Sequence, residues 1–409
     1  MQQRVRPNPG ERIYFLDNVR MLSVLAVVAL HAGIAYAPVV PWWYVMDTGK
    51  APAFDVLMFV TDGFVMPTLF FISGYFALAS LRKHGPADFM LARMKRLGIP
   101  LVAVTVFINP VISYVVYLKQ VGPEPYLRYW LRLLPSAVNW RFSLLTPENV
   151  PNLYMYLWSF HLWYLGILLL FCGLLALGRI IFPRRAADNP VSRDGAGFGL
   201  FFLLALAVAL AEAAGQVAAP DLLWIGFGPF FEMQPSRLPL YLGGFLLGAY
   251  AFDRGWFMRH RLPGRTWLWG VAVAASFAAM AASGMAAMPP GSKGWLAPAV
   301  HGLARTLFAL AATGFLAVFG QRCWNRAGGV SASLSAASYD IYLAHFPLVV
   351  ALQYALVGTA ASPFVKFGIE FAGSILVCWG ASHLAERRRK VWVSAGTLAA
   401  FALCVLAWG

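Results

Sequence analysis

The chain reads as an all-α integral membrane protein, a polytopic bundle of about eleven transmembrane helices, and three observations carry that reading. Sixty per cent of its 409 residues are hydrophobic and only 12% are charged, more apolar material than a water-soluble core consumes. Apolar stretches of membrane-spanning length recur from residue 19 to residue 408. Between them and at their margins, 22 of the 32 lysines and arginines fall on one side and 7 on the other, with three deeper inside spans. A missed span would invert every later connection and spoil that contrast. The asymmetry therefore supports both the span count and an N-terminus on the inner, cation-rich side. The net charge of +15 then reads as a topology signal and not as a nucleic-acid footprint.

In order, the expected spans lie near 19–37, 54–81, 99–118, 156–181, 198–218, 238–252, 266–288, 299–319, 337–357, 363–383 and 391–408. The first contains Arg20 and His31. Eleven residues of helix set them about 20° apart around the axis and about 16 Å apart along it, on one face. Ionisable groups at such depth usually face a protein interior or a wet cavity. The competing account is an arginine that snorkels to the headgroups and a histidine bonded to a neighbouring helix. Ala35-Tyr36-Ala37 imitates a signal-peptidase site, but Pro38 and the long span ahead of it favour a retained helix.

The second span places Asp62 at about the depth of His31, where a carboxylate could orient the imidazole or pair with another cation. Its Ser73-Gly74 pair would let a backbone or a slender ligand approach. In the following inner loop, FMLARMKRLGIP, Arg93 and Arg96 share a helical face. Two guanidiniums so spaced can fork onto phosphate oxygens; the positive-inside rule explains them equally. The sixth span is short enough to be a half-helix.

The outer connection 119–155 contains PYLRYWLRLL, whose Tyr126, Tyr129, Trp130 and Leu133 fit one face of a helix lying on the membrane. Alternatively Trp130, Trp140 and Tyr154 form a stacking surface at an outer cavity. The connection 183–197 has loop composition and reads as a linker between two halves. His161 and Trp163 open the fourth span; Glu212, Arg305, Lys366 and Glu370 fall in outer halves of theirs. Both signs at similar depth suit a polar cavity, and equally suit structural ion pairs. In the ninth span Asp340, Tyr342 and His345 fall within the inner third, ahead of a helix-kinking Pro347. Cys172, Cys323, Cys378 and Cys404 show no disulfide or zinc spacing, and no metal is expected.

YFLDNVR with His31, FFISGYFA, ARMKRLGIP, FHLWYL, LPLYLGGFLLGAYAF and YDIYLAHFPL resemble, in order, the motifs of the membrane acyltransferase-3 family, closest to its glucan biosynthesis protein C branch. The match runs from about residue 12 to 348. The resemblance implies a ten-helix core over 1–390 in the inner membrane; 391–409, which no motif covers, is expected to be an additional C-terminal helix, and the cation count with eleven spans puts the N-terminus in the cytoplasm and the C-terminus outside. It implies an O-acyltransferase that moves an acetyl or succinyl group from cytoplasmic acyl-CoA to a carbohydrate hydroxyl on the outer side, with no permanently bound cofactor.

On that reading His31 is the base and Asp62 its partner. Arg20, Arg93, Arg96, Ser73, Tyr342 and His345 receive the donor, and His161, Trp163, Arg305 and Glu370 receive the acceptor or the acyl group. A transporter or flippase for a polar solute would use the same buried charges as a translocation path.

Overall fold

A computed structural model of the chain describes residues 13–40, 43–146, 154–183, 197–219, 221–257, 262, 264–287, 294–326 and 328–388. The first helix, α1 (Tyr14–Gly33), begins earlier than the apolar run and continues as a 3-10 turn through Tyr36. The second, α2 (Pro52–Arg93), is 42 residues long and breaks at Gly85, whose φ of 77° glycine alone adopts without strain. A π-turn leads into α3 (Ile99–Phe107) and α4 (Pro110–Gln120). Pro110 has no N–H to continue the ladder, so the third expected span is two helices. A short amphipathic α5 (Tyr126–Leu133) follows. Then come α6 (Trp163–Ile181), α7 (Phe198–Ala218), α8 (Leu238–Asp253), α9 (Thr266–Ala287), α10 (Leu296–Cys323), α11 (Gly329–Leu356) and α12 (Pro363–Arg388).

Among the described residues, eight stretches are long and apolar enough to cross a membrane. The number falls short of eleven for three reasons. Expected spans two and three run together as Pro52–Gln120. The sixth is the 16-residue α8. The eleventh, with the proposed 391–409 helix and Cys404, lies outside the described residues, as does most of the 183–197 connection. On α7 and α9, large apolar side chains such as Phe202, Leu203 and Val271 are more than half exposed, as expected of helices that face lipid.

One small sheet accompanies the helices among the described residues. Strands β1 (Phe142–Leu145), β2 (Trp224–Phe227) and β3 (Phe231–Met233) form an antiparallel sheet in that order. Since β1 comes from the connection before α6 and β2 and β3 from the one before α8, pairing puts both connections on one side. The same side holds Asp47 and Lys366, bonded at 2.7 Å. At the opposite end, the Asn18 amide donates to the Trp324 carbonyl at 2.8 Å, Arg322 donates to the Gly264 carbonyl at 2.7 Å, and Arg82 pairs with Asp253. The contacts thus keep the two alternating sets of connections apart.

Two helix pairs organise the core. α1 packs on α11, bringing Val24, Val28, Ile341 and Val349 into one apolar cluster. α2 packs on α8 through small residues. A methyl group at Gly74 would overlap the Phe245 carbonyl oxygen, and one at Gly248 would overlap the Phe71 carbonyl oxygen. Close backbone approach is what small residues make possible between membrane helices.

We expect Gly74→Ala or Gly248→Ala to destabilise the protein by at least about 1 to 3 kcal/mol, because no side chain can move aside. Gly173→Ala on α6, with nothing within 4 Å of an added methyl, should be neutral or stabilise by up to about 1 kcal/mol. Thermal unfolding of the three detergent-purified variants checks this; equal effects would dispose of the seam.

Candidate functional site

At the end bearing Asn18 and Arg82, three arginines gather. Arg20 pairs with Asp17 at 3.0 Å along α1. Arg93 lies over the Phe89 ring, and its buried Nε has no hydrogen-bond partner among the described residues. Arg96 is exposed over the Tyr339 ring, whose hydroxyl donates to the Arg96 carbonyl. Arg20 and Arg93 both act electrostatically on Tyr164, and Arg93 also on Cys172. The Tyr164 hydroxyl is 2.7 Å from Ser73 Oγ, and its ring lies 5.8 Å from that of Tyr342. Polar groups therefore continue inward from the arginines.

They lead to three histidines. α11 begins at Gly329, well before the apolar run, so His345 sits deeper than the inner third and level with His31. Its Nδ1 is 3.0 and 2.9 Å from the carbonyl oxygens of Ile341 and Tyr342. Carbonyls only accept, so Nδ1 carries the proton, and in a neutral ring Nε2 must accept. The partner of Nε2 is His31 Nδ1 at 2.9 Å, which must therefore donate. That leaves the lone pair of His31 on Nε2.

His161 is fixed in the other tautomer. Its Nε2 donates to the Leu343 carbonyl at 3.2 Å, and its buried Nδ1 has no partner among the described residues. Leu343 is four residues before Pro347, which has no N–H to engage it. Pro347 thus frees the carbonyl that anchors His161. The Tyr342 hydroxyl donates to the His161 carbonyl.

His345 is fully buried and His161 is 5% exposed, whereas His31 is only partly buried. Of the three rings, His31 combines an available lone pair with access. Phe346 stacks on it at 4.3 Å and Trp43 at 6.1 Å. Gln353 donates to the His31 carbonyl at 3.0 Å and accepts from Trp43 Nε1 at 3.0 Å. Neither Trp43 nor Gln353 belongs to a charged pattern, and sequence reasoning passed over both.

Several expected residues are placed elsewhere. Asp62 does not reach His31; its carboxylate accepts from Arg237 at 2.6 Å, since equal depth does not imply facing helix surfaces. Arg305 is bidentate to Asp221 at 2.7 and 2.8 Å, which occupies the donors a substrate carboxylate would need. Glu370 accepts from the Tyr36 hydroxyl and Lys366 is held by Asp47. Trp163 packs against Tyr241, Trp224 and Phe70. Trp130 donates to the Val106 carbonyl, Trp140 lies on the sheet beside Phe227, and Tyr154 meets Tyr117 edge to face, so these three form no common surface.

Asp221, just beyond α7, joins Arg237 to Arg305. Burial alone would raise its pKa, but the two guanidiniums hold it well below the usual carboxylate range.

A family model described as Acyltransferase domain matches residues 13–383. The protein named Glucans biosynthesis protein C from Salmonella typhimurium strain LT2 is 27% identical over 252 residues, covering 60% of this chain and 59% of the relative. The same figures hold for the protein of that name from Salmonella typhi; the one from Salmonella paratyphi B is 26% identical. The chain thus spans about three fifths of the length of these relatives. No solved structure matches it.

Asp221→Asn should cost roughly 3 to 5 kcal/mol by leaving two buried guanidiniums undercompensated, with activity per folded molecule retained. A depressed carboxylate contributes its stability above its unfolded pKa, near 4, and loses it as pH falls through the lower folded value. Wild type should therefore lose this contribution only in strong acid. Normal stability with impaired transfer would return Arg305 to the acceptor site.

Proposed function

This chain belongs to the family described as Acyltransferase domain, and on that premise we propose that it moves an acyl group from acyl-CoA at its arginine-bearing, cytoplasmic end to a carbohydrate hydroxyl entering from the other side. The name of the relatives, glucans biosynthesis protein C, supports a glucan as the acceptor class, and the acyl group of this proposal is acetyl or succinyl. The observation that carries the reading is His31, partly buried and locked by His345 with its Nε2 lone pair available.

In the reaction, His31 Nε2 takes the proton of the acceptor hydroxyl as its oxygen attacks the thioester carbonyl carbon. The carbon–sulfur bond breaks, and the coenzyme A thiolate recovers the proton from His31. Neutral imidazole suits both transfers because its ordinary pKa lies near working pH. His345, accepting from His31 Nδ1–H, holds the ring in the competent tautomer and supports the imidazolium, the part a carboxylate takes in a hydrolase triad. Arg93 and Arg96 hold phosphates of the donor, with Arg20 beside the pantetheine arm. The line Ser73, Tyr164, Tyr342 gives that arm polar contacts on the way to the histidines.

His31→Asn should lower single-turnover transfer about a hundred- to ten-thousandfold while acetyl-CoA affinity changes little, since general-base contributions have that size. Near-normal transfer by the folded variant would remove His31 from the chemistry.

Arg93→Ala combined with Arg96→Ala should raise the KM for acyl-CoA by roughly tenfold or more, with a smaller effect on kcat, because charge-assisted anchoring far from the reacting carbon is mostly uniform binding. Titration of acetyl-CoA and succinyl-CoA against thermal stability gives the affinity directly. An unchanged affinity would leave these arginines a topological role only.

A further inference from the structure

The turn that delivers His161 is strained, and something must hold it. Phe160 has a φ of 48°, in the left-handed region where a residue with a bulky side chain is out of place. It opens the 3-10 turn Phe160–Leu162 that carries His161 into α6. The backbone before it is gripped from both sides. The Asn109 amide, ahead of α4, donates to the carbonyls of Ser159 at 2.8 Å and Trp158 at 3.3 Å. From the sheet, the Glu232 carboxylate on β3 accepts the Ser159 N–H at 2.8 Å and also engages the Phe160 N–H.

Glu232 is 5% exposed, and none of the ion pairs among the described residues includes it. Burial pushes its carboxyl up to about 7. A raised carboxyl makes the folded state bind the proton more tightly than the unfolded chain does, so the fold loses stability as pH rises from about 4.5 to 7. A group that costs stability when ionised, and whose acceptors meet a strained turn, fits a positioning task better than scaffolding.

Resting on the acyltransfer reading above, we propose that Glu232 is a positioning residue for that reaction. Its carboxylate clamps the Ser159–Phe160 turn and thereby fixes His161 against His31 and His345, so the outer sheet sets the geometry of the histidine cluster. The rings it governs are close: the His161 centroid lies 6.4 Å from that of His31 and 5.1 Å from that of His345.

The test compares full-length wild type with Glu232→Gln and Glu232→Asp, using acetyl-CoA and succinyl-CoA as donors and glucan oligosaccharides as acceptors. The imidazole 15N signals of histidine-labelled protein supply a readout that does not depend on turnover. Glu232→Gln should lower kcat by about a hundredfold, the size expected of a misplaced reacting group, with KM for the donor within about twofold. The His161 signals should shift or broaden, while those of His301, on α10, should not. Glu232→Asp keeps the charge but shortens the reach, so it should fall with the glutamine variant; it also carries the test if glutamine prevents folding. Unmoved His161 signals in either folded variant would overturn the proposal, as would wild-type kcat. If wild type transfers no acyl group, the functional reading fails, and the His161 signals still decide whether Glu232 holds the turn.

Discussion

A polar side chain inside a bilayer has no water to fall back on, so the groups that hold it must come from the protein, and this requirement shapes the centre of the molecule. Two backbone carbonyls of α11 decide where the proton sits on His345, and the consequence passes through one hydrogen bond to His31. A third carbonyl, freed by Pro347, decides the same question for His161. No ionised partner is needed. In a low-dielectric interior such neutral pairings avoid the desolvation cost of a buried carboxylate and still discriminate between tautomers.

The charges away from the histidines solve a different problem. Asp221 ties the start of α8 to α10 through two arginines, and Asp47 with Lys366 ties the connection after α1 to the start of α12. These pairs fasten elements that are far apart in sequence at the end where the sheet lies. The fastening charges thus lie apart from the three imidazoles, which are joined to one another and to backbone carbonyls.

Much of the helical plan was legible because apolar run length and cation placement obey strong rules, and the expected span 198–218 coincides with α7. Features that depend on which faces meet were not. Asp62 could be given a depth, but its azimuth relative to α1 depends on the turn before α8, which supplies Arg237. His345 was recognisable as a residue of interest and misplaced in depth, because polar Ser331, Ser333 and Ser335 hid the first turns of α11. The strands are only three or four residues long and pair across two separate connections, too short to show an alternating pattern. Glu232, Asp221 and Trp43 lie in such connections, where composition distinguishes a loop from a span and says nothing more.

The glycine seam between α2 and α8 governs what can move. Side chains can yield by changing rotamer, but a carbonyl seated against a residue without a β-carbon has no such freedom, so the two helices behave as one plank. Ser73 rides on that plank, and Tyr164 touches it through the Ser73 hydroxyl. The segment around Trp43 is attached to it by no comparable seam; side-chain bonds hold it instead, Asp55 of α2 accepting the Val39 N–H, Lys366 pairing with Asp47, Lys50 donating to the Ala35 carbonyl and the Trp43 indole to Gln353. Compliance is therefore unevenly distributed. The Ser73 side of the histidines is built on the stiff member and the opposite side is roofed by one that side chains hold, so on the acyltransfer reading proposed above a bulky acceptor would be admitted at the roof and the donor's arm along the plank.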